Sequence, residues 1–169
     1  MTPVPAFTTE LRSRLRGGPF HLYRAVAEGI SSLRSPFLLA VRLYWGFQFV
    51  QTGWGKLHQL AKITGFFSSL GIPFPAFNAH FVSGLEFAGG LLLIAGVASR
   101  LAAFLLAENM LVAYWTADRI ALFSVISNPG KFYNADPYTF LFASLMILIF
   151  GAGFFSLDAA IASRLEVAT

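Results

Sequence analysis

The sequence contains no cysteine. That one gap removes a thiolate nucleophile, a thiol relay, a disulfide framework and the usual ligands of an iron–sulfur cluster. Charge is scarce as well. Asp, Glu, Lys and Arg together make up 12% of the 169 residues, where a soluble domain carries about a quarter. No Gly-rich phosphate loop, nucleophile elbow or zinc-ligand spacing occurs along the chain. The balance of charge is basic, net +4. There is neither a basic groove pattern nor a nucleic-acid-binding module to use it, so nucleic acid is excluded as a partner.

What is abundant is hydrocarbon. Hydrophobic residues reach 56%, 19 residues are Phe, and the mean hydropathy is +0.66. Such a composition predicts an all-α integral membrane protein whose first partner is the lipid bilayer. Four apolar segments approach the roughly 20 residues needed to cross about 30 Å of hydrocarbon. They run from Pro36 to Leu57, Ala79 to Ala98, Arg100 to Ala117 and Pro137 to Phe154. The expected fold is a bundle of four transmembrane helices, the second and third joined as a tight hairpin at Ala98-Ser99-Arg100. Ile63, Phe66, Phe67 and Leu70 predict an interfacial helix before the Gly71-Ile72-Pro73-Phe74-Pro75 turn. The run Ala121–Ile126 fits either an extension of the third helix or a segment at the interface.

Residues 1–35 form an arginine-bearing cytoplasmic extension, 36–162 the transmembrane domain, and 163–169 a short cytoplasmic tail. Residues 1–18 lack the apolar stretch of a signal peptide. Beyond them Phe20, Tyr23, Ala27, Ile30 and Leu33 recur at helical spacing, predicting an amphipathic helix on the headgroups. Orientation follows Lys and Arg. Arg12, Arg14, Arg16, Arg24, Arg34, Arg100 and Arg164 fall on one side, and Lys56, Lys62, Arg119 and Lys131 on the other. Both termini are therefore expected in the cytoplasm, at a bacterial inner membrane.

Within apolar spans, ionisable residues are costly and need a partner or a purpose. Arg42 lies in the first span, Glu86 in the second, and Glu108 with Asn109 in the third, while Lys56 closes the first. Counting along the helices places Arg42, Glu86 and Glu108 near a common depth, so a carboxylate is expected to hold Arg42. Gly46 and Gly53 on the first helix, with Gly84 and Gly90 on the second, are expected to allow close packing. The polar groups can serve as fasteners of a packed bundle, or line a pocket for a quinone headgroup, a proton or an anion. His58 and His80 sit at the outer rim, where water and headgroups satisfy them, and no metal site is expected.

The runs Arg42–Leu57 (RLYWGFQFVQTGWGKL), Gly71–Pro75 (GIPFP) and Glu86–Gly96 (EFAGGLLLIAG) with Arg100, and the closing Gly151–Asp158 (GAGFFSLD), resemble the DoxX family of small membrane proteins. The resemblance covers about residues 36–162. It places Arg42, Gly46, Gly53, Lys56, Glu86 and Gly90 on the family's recurrent positions. It implies a four-helix membrane protein related to the DoxD-type subunits of thiosulfate:quinone oxidoreductase. The leading expectation is a quinone-interacting membrane subunit of a redox complex, not catalytic alone. Arg42, Gln48, Gln51 and Lys56 would bind the ligand, and Glu86 and Glu108 would exchange protons as the catalytic carboxyls. Electrons would come from other membrane or peripheral redox subunits. The alternatives are a non-catalytic scaffold subunit and a small anion or proton transporter, the latter requiring a homo-oligomer. Substrate and electron donor are not written in the sequence.

Overall fold

The computed structural model describes residues 19–167, and within them every regular element is helical. Arg12, Arg14 and Arg16, and the start of the N-terminal extension, lie outside the described residues. The chain divides into two units with the boundary between Arg34 and Ser35. On the N-terminal side lies α1, Pro19–Ser32. Its Tyr23, Val26 and Ile30 are exposed along one apolar stripe, and Arg24 pairs with Glu28 across one turn at 3.8 Å. An exposed pair of this kind adds little stability.

The second unit begins as α2, Arg34–Leu57, gets under way. Pro36 falls in its first turn, where the absent N–H has no helical partner. A short helix α3, Leu60–Ser69, follows, and α4 spans Pro75–Ala95 with Pro75 as its first residue. The chain reverses into α4 through Gly71 at φ 72 and Phe74 at φ 48. At the far end Gly96 adopts φ 70 and donates its N–H to Leu92 O at 2.9 Å, with Val97 N–H donating to the same carbonyl at 3.1 Å. This left-handed termination releases the chain into α5, Ser99–Thr116, after only three residues.

Two short helices, α6 (Arg119–Phe123) and α7 (Pro129–Tyr133), precede α8, Pro137–Phe150. Ala121–Ile126 therefore does not extend α5, because the chain breaks at Ala117 and restarts at Arg119. After the positive-φ residues Gly151 and Gly153, a last helix α9 covers Leu157–Val167.

The core lies where α5 packs against α8 and α4. Ala102, Ala103 and Ala107 put a smooth face on α5, and Phe49, Leu93, Leu106, Met110, Leu141 and Ile147 fill the space around it. Small residues at such a seam let backbones approach closely and recover dispersion energy. By length and composition, one helix among the described residues, Pro75–Ala95, is long and apolar enough to cross a membrane; Pro137–Phe150 is apolar but shorter.

Candidate functional site

The approach of α2 to α4 is set by glycines. A Cβ on Gly46 would stand 2.8 Å from Ile94 Cγ1 and 3.0 Å from Gly90 O, and one on Gly90 would stand 2.6 Å from Gly46 O. Further along, a Cβ on Gly53 would collide with the backbone N of Phe87 and lie 2.8 Å from Ser83 O. Gly89 faces Leu106 of α5. Gly84, expected to join this packing, has nothing within 4 Å of its Cβ position. It lies on a different face of α4 from the crossing.

That crossing delivers Lys56, at the end of α2, to Glu86 in the middle of α4. The ammonium donates to both carboxylate oxygens at 2.7 Å. Asn109 of α5 donates its amide to Glu86 Oε1 at 3.0 Å. The Glu86 side chain is 2% exposed and that of Lys56 34%. A buried carboxylate is costly unless its lone pairs are filled, and here three donor contacts from two helices fill them. The position of Lys56 in the last turn of α2 also suits the negative end of the helix dipole.

The triad forms the polar end of a cavity of about 900 Å³. Its walls include Phe49, Phe66, Phe67, Met110 and Phe140, and α3 covers one side with Ile63, followed by Leu70 just past its end. Thr52, Asn78 and Thr139 add scattered polar groups, while Asp118, Tyr133 and Asp136 bring the connection between α5 and α8 to its edge. Burial pushes the Asp118 carboxyl above its ordinary value, and the neighbouring Asp136 adds to the shift.

The remaining candidate residues lie elsewhere. Arg42 is 1% exposed and meets neither Glu86 nor Glu108. Its guanidinium donates to Leu93 O at 2.8 Å, Ile94 O at 3.2 Å, Ala152 O at 2.7 Å and Phe155 O at 3.0 Å. It thus ties the end of α4 to the loop after α8. Backbone carbonyls freed by the glycine turns supply its acceptors, so the expected Arg–carboxylate pair does not form. Close by, Asp158 caps α5, accepting from Ala98 N–H at 2.7 Å and Ser99 N–H at 2.9 Å. Gln51 and Glu108 are exposed, and Gln48 is half-buried; none of the three lines the cavity. His58, just past the end of α2, bonds to Trp54 O, and His80 bonds to Ala76 O one turn back in α4.

Reasoning from sequence names Asn109 beside Glu108 but gives it no role in the site. The signal was there: Asn109 lies seven residues after Ala102 and three after Leu106, on the buried stripe of α5, whereas Glu108 is turned by about 100°.

Residues 37–119 match the DoxX family model. The chain belongs to the DoxX family. The DoxX match takes in most of α2 and all of α3, α4 and α5, and with them Lys56, Glu86 and Asn109. It stops before α8, so the likeness at Gly151–Asp158 lies outside it. No curated protein and no solved structure matches the chain significantly. As a DoxX protein, it is membrane-associated.

Proposed function

We propose that this DoxX protein spans a bacterial inner membrane through α2, α4, α5 and α8, with both termini cytoplasmic. We further propose that its cavity holds a quinone headgroup on behalf of a membrane redox complex. The observation that carries this reading is a Lys56–Glu86–Asn109 triad around a buried carboxylate, at one end of a largely aromatic and aliphatic cavity. Ligand pockets of this kind measure about 300–1,000 Å³ and combine apolar walls with a few convergent polar groups.

The donor set suits the ligand. Lys56 carries three N–H groups and directs two at Glu86; Asn109 carries two and directs one. One donor on each remains for a carbonyl oxygen, and the aromatic walls suit a flat ring. The quinone supplies two-electron, two-proton redox chemistry when bound. Glu86, held between two donors, is the group placed to exchange protons with it. Electrons come from a partner subunit, because the chain lacks cysteine and has no metal-ligating cluster among the described residues. Gln48, Gln51, Arg42 and Glu108 have no part in this site. The pocket draws its lining from one end of the bundle, while Arg42 and Asp158 close the other, which favours binding over conduction.

The test is quinone binding by the full chain purified with native lipids and reconstituted in nanodiscs. Lys56→Met should weaken binding about tenfold or more, since removing a charge-assisted hydrogen bond costs about 1.5–3 kcal/mol. Gln51→Ala should leave binding unchanged. A protein that retains no quinone and binds none on titration refutes the assignment.

A further inference from the structure

Glu108 is the one candidate carboxyl that neither the cavity nor the bundle uses. It is exposed and has no hydrogen-bond or ion-pair partner among the described residues. It lies nine residues into α5, about 13 Å from the hairpin, which in a spanning bundle is near the bilayer centre. The residues around it on the helix surface are also exposed: Leu101, Phe104, Leu111 and Trp115. With Glu108 they fall at spacings of three, four, three and four. That is the a/d repeat of a helix meant to pack along its length against another helix.

We infer that this face of α5 is the interface with a second copy of the chain, with Glu108 against Glu108 at its centre. The inference rests on the spanning part of the proposed function and is independent of the quinone. Copies inserted in one membrane share an orientation, so a two-fold axis along the normal sets α5 parallel to its counterpart and each seam residue opposite itself. A carboxyl group is suited to that position. A carboxylic acid both donates and accepts, so each Glu108 satisfies the other. Left against lipid, the same group would be among the costliest a helix can carry at that depth. A single polar residue at an a position also fixes register between paired helices. The exposed apolar faces around Phe47 on α2 and Phe142 on α8 carry no acidic or basic residue at mid-helix.

The chain has no cysteine, so each single substitution introduces its only thiol. Leu101→Cys, Phe104→Cys and Leu111→Cys should each give a disulfide-linked dimer when native membranes are treated with a mild oxidant. Phe47→Cys and Phe142→Cys should stay monomeric. In the Leu111→Cys background, Glu108→Gln should preserve the cross-link, and Glu108→Lys should reduce it about tenfold. Cross-linking equal at seam and control positions overturns the proposal. So does its absence from seam thiols in protein that accumulates normally and resists alkaline carbonate extraction. Release by carbonate would remove the spanning premise, and the interface with it. Quinone binding, measured separately, reports on the cavity whichever way the cross-linking falls.

Discussion

Replacing Arg42 by Met is the sharpest test of how the closed end of the bundle is held. The guanidinium is buried and supplies donors to four carbonyls, two at the end of α4 and two after α8. Met fills comparable space but donates nothing. Leu93 O keeps a contact with Gly96 N–H at 3.2 Å, so the heaviest loss falls on Ala152 O and Phe155 O. Each orphaned buried carbonyl costs about 1–3 kcal/mol. The expected destabilisation is therefore about 3–5 kcal/mol, the range found when a buried charged contact is stripped of its partner. For a chain of this length each kcal/mol lowers the melting temperature by about 2–4 °C. Tryptophan fluorescence in nanodiscs should thus show a fall of about 6–20 °C. Arg42→Lys should fall between, since one ammonium cannot reach acceptors on two sides. A melting temperature for Arg42→Met within about 3 °C of the parent would refute the account, and Arg42 would then be a passenger.

Two glycines of α2 and α4 should respond in opposite directions to the same added methyl. Gly53→Ala drives a Cβ into the Phe87 backbone and should cost about 1–3 kcal/mol; Gly84→Ala meets nothing within 4 Å and should gain about 0.5–1 kcal/mol by helix propensity. If both lower the melting temperature alike, the α2–α4 crossing is misplaced. Asp118 should impose a pH dependence. Its folded-state value lies above the ordinary 3.8, so the folded protein holds that proton more tightly than the unfolded one. Stability then falls as pH rises from about the ordinary value through the raised one. Asp118→Asn should flatten that part of the stability–pH curve, and an unchanged slope would assign it to another group.

Much of the helical pattern was legible because it depends on side-chain hydropathy and on Pro and Gly. The tight α4–α5 hairpin was readable at Ala98–Arg100, and the α3 helix from Ile63, Phe66 and Phe67. The pairing of charges was not. Depth arithmetic brought Arg42 toward a carboxylate because carboxylates are visible as letters, whereas its true acceptors are main-chain oxygens that every residue possesses. Only the glycines at 96, 151 and 153 hinted that carbonyls would be left open there. Glu108 and Asn109 show a related limit. They are adjacent in sequence, but one residue along a helix turns the side chain by about 100°. The alanine stripe of α5, not polarity, distinguishes the one that faces inward. Residues of α8 that line the cavity, such as Thr139 and Phe140, carry no signal of their own. They arrive by topology.

The reach of Arg42 also has a consequence in time. Its contact with Ala152 spans 110 residues of chain. At a synthesis rate of about 5–20 residues per second, α2 waits roughly 6–22 s before Ala152 is made. Leu93 O and Ile94 O follow Arg42 by only 51 and 52 residues, but until the end of that interval the arginine lacks the two carbonyls after α8. In the spanning arrangement proposed above, the nascent helix would keep that side chain at the headgroups or against lipid phosphate until those carbonyls arrive. A chain cut short before Ala152 would never gain those two acceptors. The arginine that fastens the finished bundle is therefore only half satisfied in an unfinished one.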